Sequence, residues 1–251
     1  MNIQHDRKDF PSAIDNTDWL KIAAIILVSV DHFGYFFMDD DLWWSAFGRL
    51  AAPVFFFLMG YAKTRTVPLY WIWIGVILTL LDSWNADWTW MAPNIFLSFT
   101  LIRLARPHVQ TFVQHHGWVA FGLLVVALSA VSLIAADIVD YGAEGWLWAL
   151  FGLYQRMYVD GKSVTEMDGA APSSAPPAHA LIENAGLMRL LACLVAALVY
   201  IWQEQKEYAF PHIHLAVVIL GIGVLSLSLC LFLRGPSRIQ PPEVLAVVLR
   251  F

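Results

Sequence analysis

The chain has 251 residues, of which 59% are hydrophobic and only 14% are charged, and its formal net charge is −5. A soluble domain carries roughly a quarter of charged residues, so this composition excludes an ordinary soluble protein and indicates a polytopic helical membrane protein. The basic residues are scattered along the chain without forming a patch, so nothing indicates a nucleic-acid partner.

Long apolar runs recur along the chain and predict an all-α transmembrane bundle of about eight spans. In chain order the predicted spans are residues 19–38, 45–62, 67–81, 93–106, 117–136, 145–159, 187–203 and 212–233. The third, fourth and sixth are shorter than the ~20 residues that a perpendicular span needs, so we expect them to extend or tilt. A last apolar run, 242–251, is either a surface segment or the start of a ninth helix.

The same pattern predicts four regions. Residues 1–18 are polar and form a cytoplasmic N-terminal segment without an apparent signal peptide, and residues 19–159 form a six-helix membrane part. Residues 160–185 include 169–177, a stretch of small residues and prolines that cannot build a core, so we expect a flexible cytoplasmic linker. Residues 186–251 hold the C-terminal membrane helices.

The placement of lysine and arginine predicts the orientation of the bundle. If the N-terminus is cytoplasmic, eleven lysines and arginines fall on the inner side and only Lys206 falls in an outer loop. The outer loops then carry carboxylates such as Asp39, Asp82 and Glu144. Because cytoplasmic loops are enriched in lysine and arginine, we predict that the N-terminus lies in the cytoplasm.

Asp31 and His32 are ionisable residues within the first predicted span. Their placement among apolar residues costs several kcal/mol, so such groups usually serve a function or pair with one another. At 1.5 Å per residue, Asp31 lies about 10 Å below the outer end of its helix, and Arg49 lies roughly 6 Å inside the second span. The connection at 39–44 is short, so the two helices are neighbours and we expect Asp31 to pair with Arg49.

Two more polar residues have suitable heights to join this pair. Asp82 lies at the outer end of the third span, and Asn94 lies near the outer start of the fourth. Adjacent helical residues point about 100° apart, so Asp31 does not orient the His32 ring directly. We nevertheless expect both side chains to face other protein segments instead of lipid. The alternative is an interhelical polar network that only fixes packing.

The remaining histidines and cysteines do not predict a metal site. The pair His212 and His214 diverges on a helix, and the two cysteines, Cys193 and Cys230, lack metal-ligand spacing. The sequence contains neither a zinc-protease nor a nucleophile-elbow motif, and no Walker or dinucleotide-binding loop. We therefore expect no metal and no disulfide framework.

Two stretches in the first half carry a resemblance to a known family. Residues 18–37, which contain Asp-His-Phe-Gly after an apolar run, and residues 48–60, which begin Gly-Arg-Leu-Ala-Ala-Pro, together resemble the TraX family. The segment 93–97, Pro-Asn-Ile-Phe-Leu, resembles the family's asparagine-containing fourth segment. The resemblance covers residues 18–105.

The TraX resemblance implies an integral-membrane acyltransferase in the bacterial inner (cell) membrane. The family takes its name from a conjugation-associated protein that acetylates the amino terminus of pilin. The resemblance therefore implies acetyl-coenzyme A, or another acyl-coenzyme A, as co-substrate. It implies membrane lipids and a protein acceptor, such as a pilin or a larger membrane complex, as partners. It maps His32 to the proposed catalytic histidine, Asp31 and Arg49 to its motif companions, and Asn94 to the later segment. We expect Asn94 and Asp82 to contact substrate.

The residue chemistry is compatible with acyl transfer. Histidine holds a proton near neutral pH, so His32 could deprotonate an amine or hydroxyl acceptor, or carry the acyl group itself. Arg49 or Asn94 could stabilise the oxyanion. Two other interpretations stay open. One is a non-catalytic accessory subunit of a larger membrane complex, and the other is a proton-coupled carrier that uses Asp31 and His32.

Overall fold

The fold comes from a computed structural model that describes residues 15–38, 41–63, 66–85, 93–134, 142–167 and 177–232. The described residues form helices and no strand, so the all-α class is confirmed for them. The helices in chain order are α1 (Asn16–Phe37), α2 (Leu42–Gly48), α3 (Ala51–Tyr61), α4 (Leu69–Asn85), α5 (Ile95–Ile134), α6 (Gly142–Met167), α7 (Pro177–Tyr208) and α8 (His212–Cys230).

Five described segments are long and apolar enough to cross a membrane, and a shorter apolar helix accompanies them. The five are Asn16–Phe37, Leu42–Tyr61, Ile95–Ser132, Ala185–Tyr208 and His212–Cys230, and the shorter helix is Leu69–Trp84. The expectation of a helical membrane protein is therefore confirmed for this part of the chain. The count of about eight spans and the cytoplasmic N-terminus stay predictions.

Three predicted regions fall wholly or partly outside the described residues. Residues 1–14 of the N-terminal segment and the final run 242–251 are among them. The predicted linker 160–185 is described in part, because α6 continues to Met167 and α7 begins at Pro177.

The start of α1 is fixed by a capping box. The Asp15 carboxylate accepts hydrogen bonds from the Thr17 and Asp18 backbone amides at 2.8 and 3.2 Å. The Asp18 carboxylate in turn accepts from the Asp15 amide at 3.1 Å. Because the first amides of a helix have no intrahelical acceptor, these bonds satisfy the start of the helix and set where it begins.

Two glycines let α1 and α2 approach closely. A Cβ atom built on Gly34 would overlap the side chain of Trp44, and one built on Gly48 would overlap the backbone of Asp31. Small residues at a helix interface allow two backbones to come together within a membrane. The contact at Gly48 therefore fixes the rotation of α1 and turns Asp31 toward the α2 side.

The second predicted span, 45–62, is not one uninterrupted helix, because Arg49 and Leu50 form a turn between α2 and α3. Pro53 has no amide hydrogen, so it cannot donate to the Arg49 carbonyl four residues earlier. The Tyr200 hydroxyl on α7 donates to that carbonyl oxygen at 2.7 Å. The turn between α2 and α3 is thus hydrogen-bonded to α7.

α5 is divided in two at Gly117, where φ is +50° and ψ is −120°. A positive φ is readily adopted by glycine, which has no Cβ atom to clash with its carbonyl. The break separates a first limb, residues 95–116, from a second limb, residues 118–134. These limbs correspond to the predicted spans 93–106 and 117–136.

The two limbs of α5 lie side by side and run in opposite directions. Residues at nearly equal distances along the chain on either side of Gly117 line one cavity: Ala105 with Leu128, and Val109 with Leu124. In a straight helix Ala105 and Leu128 would be about 34 Å apart. The shared cavity therefore requires the chain to fold back at Gly117.

The core lies where α3, α6 and α7 pack together. Its largest fully buried side chains are mostly aromatic and come from these three helices: Tyr61, Phe56, Phe57, Trp148, Phe151, Tyr154 and Tyr200. By contrast, α1 and α4 expose many large apolar side chains, which is typical of helices that face lipid.

Replacing Gly152 with alanine is expected to lower the free energy of unfolding by about 2 kcal/mol, within the range for overpacked cores. The reason is that a Cβ atom at Gly152 would overlap the Phe57 carbonyl oxygen of α3. The matched control is Gly223→Ala on α8, where an added Cβ has no atom within 4 Å. Denaturant titration in mixed micelles measures the free energy of unfolding of both variants. An equal decrease in Gly152→Ala and Gly223→Ala would contradict the close contact between α3 and α6.

Charged side chains form ion pairs near both ends of the bundle. Near the end of α3, Arg156 lies over the Tyr61 ring at 5.2 Å, and Lys63 pairs with Asp160 at 3.7 Å. The opposite end holds Arg49 among carboxylates. Both ends of the described bundle therefore carry cations together with carboxylates, and the orientation stays a prediction.

Candidate functional site

Asp31 on α1 and Arg49, at the turn between α2 and α3, form an ion pair. The Arg49 Nε atom lies 3.9 Å from the Asp31 Oδ1 atom. The Arg49 and Asp31 side chains are only 19% and 16% exposed, so each would be costly to place there alone. The structure brings together these two residues, as their depths in the sequence predict.

Further groups from α7 surround the Arg49 guanidinium. Glu207 places its Oε1 atom 3.7 Å from Arg49 Nη2, and the Tyr208 ring centroid lies 4.6 Å from the guanidinium carbon. Glu204 also lies within electrostatic range of Arg49. We call Asp31, Arg49, Glu204, Glu207 and Tyr208 the Arg49 cluster.

Glu204 is the most deeply buried carboxylate of the Arg49 cluster, with only 4% of the residue exposed. Its Oε2 atom is buried and has no hydrogen-bond partner within the described ranges. A buried carboxylate depends on nearby positive charge because water no longer solvates it. Arg49 is therefore the positive charge that lies near both Glu204 and Asp31.

Further buried polar groups, from α6, α7 and the second limb of α5, lie near Glu204. Glu144 at the start of α6 is buried within electrostatic range of Glu204 and accepts a hydrogen bond from the Ser132 hydroxyl at 3.5 Å. The Gln203 side-chain amide donates to the Ser132 carbonyl oxygen at 2.7 Å. These bonds join the second limb of α5, α6 and α7 at the end of the bundle that holds Arg49.

His32 is exposed on α1, so the expectation that its ring faces other protein segments is wrong for the part of the chain that the structure describes. The reason is the rotation of α1 about its own axis. Asp31 is held against Gly48, and the next residue along a helix points about 100° away. The His32 ring instead lies along its own helix, with its centroid 6.3 Å from that of Phe36.

The hydrogen bond of the His32 ring fixes which nitrogen carries the proton. The Nδ1 atom lies 2.9 Å from the Val28 carbonyl oxygen, and a carbonyl oxygen can only accept. Nδ1 is therefore the donor, which in a neutral imidazole leaves the Nε2 lone pair available. The Asp31 carboxylate is close enough to act electrostatically on His32. A proton taken up by Nε2 would thus form beside a negative charge.

Asp82 and Asn94, the two predicted substrate contacts, lie elsewhere. Asp82 is exposed on α4, and the Asn94 Oδ1 atom accepts a hydrogen bond from the Phe96 amide at 3.2 Å, at the start of α5. The Asn94 amide donates to the Thr79 hydroxyl at 2.9 Å, which ties α5 to α4. Across the described residues no hydrogen bond or ion pair joins Asp82 or Asn94 to His32 or to the Arg49 cluster. The structure does not bring the five predicted site residues together.

Sequence reasoning missed the buried carboxylates of the second half. The seventh predicted span ends at 203, which leaves Glu204 outside it, and Glu144 reads as an ordinary residue of an outer loop. One signal was available. Glu204 lies four residues after Tyr200, so the two side chains share a helix face, and the aromatic Tyr200 indicates that this face is buried.

Cys193 and Cys230 are free thiols on α7 and α8. No group of three or more histidine, cysteine, aspartate or glutamate side chains in the described ranges could hold a metal ion.

A comparison with protein families finds one whose model matches most of this chain. The model described as TraX protein matches residues 16–222. The match therefore extends well beyond residues 18–105 and includes all members of the Arg49 cluster. No curated protein and no solved structure matches the chain.

Proposed function

Because this chain belongs to the TraX family, we propose that it is an integral-membrane acyltransferase. It moves an acyl group, acetyl in the first instance, from acyl-coenzyme A to an amine or hydroxyl acceptor. The protein would be a multi-pass component of the bacterial inner membrane with a cytoplasmic N-terminus. The observation that carries the proposal is the His32 ring, whose Nδ1 bond to Val28 leaves Nε2 accessible on the surface of α1.

In the proposed reaction His32 acts as a general base. Its Nε2 atom takes the proton from the acceptor N–H or O–H while the acceptor heteroatom attacks the thioester carbonyl carbon. The resulting tetrahedral oxyanion collapses, the carbon–sulfur bond breaks, and the coenzyme A thiolate leaves and receives the proton from the imidazolium. In the acyl-carrier variant Nε2 itself attacks the thioester carbonyl carbon, the carbon–sulfur bond breaks and the coenzyme A thiolate leaves. The acceptor then attacks the acyl-imidazole, which releases the His32 ring, and the acceptor's proton passes to the thiolate.

The Arg49 cluster supports this chemistry indirectly. Asp31 stabilises the imidazolium that forms at His32, and Arg49 favours the ionised form of Asp31 against the cost of its burial. Arg49 is therefore proposed as a positioning residue, since its guanidinium is already engaged with Asp31, Glu207 and the Tyr208 ring. Asp82 and Asn94 stay proposed substrate contacts, to be reached by a substrate that spans from α1 to α4.

A specific observation favours a second candidate, a non-catalytic accessory subunit of a larger membrane complex. His32 lies on an exposed face of α1 that continues through large aromatic side chains: Phe33, Tyr35, Phe36 and Phe37. A contiguous apolar face of this kind suits contact with lipid or with a partner helix. In a complex, the same face would pack against another subunit.

The test of the proposed function is acyl transfer by the purified full chain in lipid nanodiscs. Radiolabelled acetyl-coenzyme A is supplied with a peptide bearing a free amino terminus or with a hydroxyl-bearing lipid. We expect label to move to one acceptor class above the level of empty nanodiscs. Absence of both transfer and coenzyme A binding, together with stable co-purification of partner subunits, would decide for the accessory role.

A further inference from the structure

A cavity lies between the two limbs of α5, the end of α3 and the first half of α6. Its volume is about 140 Å³. Ten of the eleven residues that line it are apolar or glycine, and the remaining one is Arg106. The cavity is far along the chain from His32 and shares no residue with the Arg49 cluster.

Small side chains leave this space open. Gly60 of α3, Ala105 of the first α5 limb and Ala149 of α6 all line the cavity, where larger residues would fill it. The turn at Gly117 holds the limbs alongside each other, so that Ala105 of one limb and Leu128 of the other both line the cavity.

The size and lining of the cavity select its occupant. A protein cavity of about 150 Å³ with an apolar lining stays dry and binds benzene, so this one has room for a chain of about six carbons. Ordered water needs two to four polar partners, which a mostly apolar lining does not offer. A complete lipid tail is longer than the cavity.

Arg106 is the one charged residue among those that line the cavity. Its Nε atom donates to the Gly60 carbonyl oxygen at 2.8 Å, which fixes the guanidinium beside the lining. A guanidinium carries five N–H donors in a planar fork, and its best partners are oxygen atoms with negative charge or strong acceptor character. A ligand with one oxygen-bearing end and one short apolar end matches both features.

We propose that this cavity binds a short acyl chain of about six carbons, whose carbonyl-end oxygen accepts a hydrogen bond from Arg106. Two sources share this chemistry, a free fatty acid and an acyl-coenzyme A. The second source rests on the proposed function, since acyl-coenzyme A is its donor. Its carbonyl at Arg106 would lie at the Gly60 end of α3, away from Arg49 and His32, so the cavity would hold the donor apart from the reacting site. The cavity itself does not depend on catalysis.

The test is calorimetric titration of the full chain in nanodiscs with hexanoate, with hexanoyl-coenzyme A and with coenzyme A alone. Ala105→Leu fills the cavity and is expected to weaken binding of the acyl ligand at least tenfold, equivalent to about 1.4 kcal/mol. The matched control is Ala127→Leu, the same change at an exposed position of α5 that does not line the cavity, and it should alter affinity less than twofold.

Two further measurements locate the ligand. Bound 6-bromohexanoate should quench the fluorescence of Trp146, which lines the cavity, and Trp146→Phe should remove that part of the quenching. Arg106→Gln should weaken hexanoate binding at least fivefold and leave the binding of neutral hexanol within twofold.

The outcomes separate the cavity from the catalytic proposal. Tighter binding of hexanoate than of hexanoyl-coenzyme A assigns the site to free fatty acids, and the reverse assigns it to the donor. Binding that is unchanged in Ala105→Leu, or absent for both ligands in the wild-type protein, overturns the inference. His32→Ala should retain full binding, so loss of acyl transfer alone leaves the cavity proposal standing.

Discussion

Replacing His32 with alanine is expected to lower the rate of acyl transfer by about 10² to 10⁴-fold, the usual contribution of a general base. The stability should change by no more than about 0.5 kcal/mol, as for other exposed substitutions. The ring is exposed, and its hydrogen bond joins it only to Val28 of its own helix. Initial rates with labelled acetyl-coenzyme A, measured beside thermal unfolding, separate a catalytic loss from a structural one.

His116 provides a matched control for this variant. It is also exposed, and its Nδ1 atom lies 3.1 Å from the Phe112 carbonyl oxygen four residues earlier, the arrangement that His32 has with Val28. His116→Ala should therefore keep the wild-type rate. Added imidazole should restore part of the activity of His32→Ala, because the vacated position is open. Equal rates for wild type and His32→Ala would remove the histidine from the mechanism.

Replacing Arg49 with alanine is expected to lower the free energy of unfolding by about 3 kcal/mol, the low end of the range for breaking a buried ion pair. The low end applies because the Arg49 side chain keeps 19% of its surface exposed. The variant leaves Asp31 and the buried Glu204 without their cation and removes the contact with the Tyr208 ring. Denaturant titration in mixed micelles measures the change.

Two comparisons test whether burial is the cause of this loss. Glu207→Ala removes a partner whose side chain is 61% exposed, so its cost should stay below about 1 kcal/mol. The double variant Arg49→Met, Asp31→Asn should recover part of the stability, since it removes the uncompensated charge together with the cation. A cost for Arg49→Ala no larger than that for Glu207→Ala would contradict the assignment of Arg49 as the centre of the cluster.

The helices were predictable because the apolar runs are long and the turn signals between them are clear. The break of α5 at Gly117 falls at the start of the predicted fifth span, whereas the predicted connection 107–116 is helical in the structure. The predicted depths bring Asp31 to Arg49. The turn at Arg49 was less visible. Pro53 marks it, but the hydroxyl that satisfies the Arg49 carbonyl comes from Tyr200, about 150 residues later.

The rest of the site could not be predicted because the sequence indicates how deep a residue lies in the bundle but not how its helix is rotated about the helix axis. Asp31 and His32 have nearly the same depth, yet one faces Arg49 and the other is exposed. The rotation is set by the contact of Gly48 with Asp31, which involves another helix. For the same reason, Asp82 and Asn94 lie at suitable heights without reaching the cluster.

The reversal at Gly117 has a topological consequence. A helix of this length that ran straight would deliver its two ends to opposite compartments, whereas the folded-back form returns the chain to the compartment from which it came. Ile134 therefore lies on the same side of the bundle as Ile95, and His116 lies on the opposite side. Sidedness mapping with an impermeant thiol reagent should label cysteines placed at Asn94 and Ala143 from one face, and a cysteine at His116 from the other.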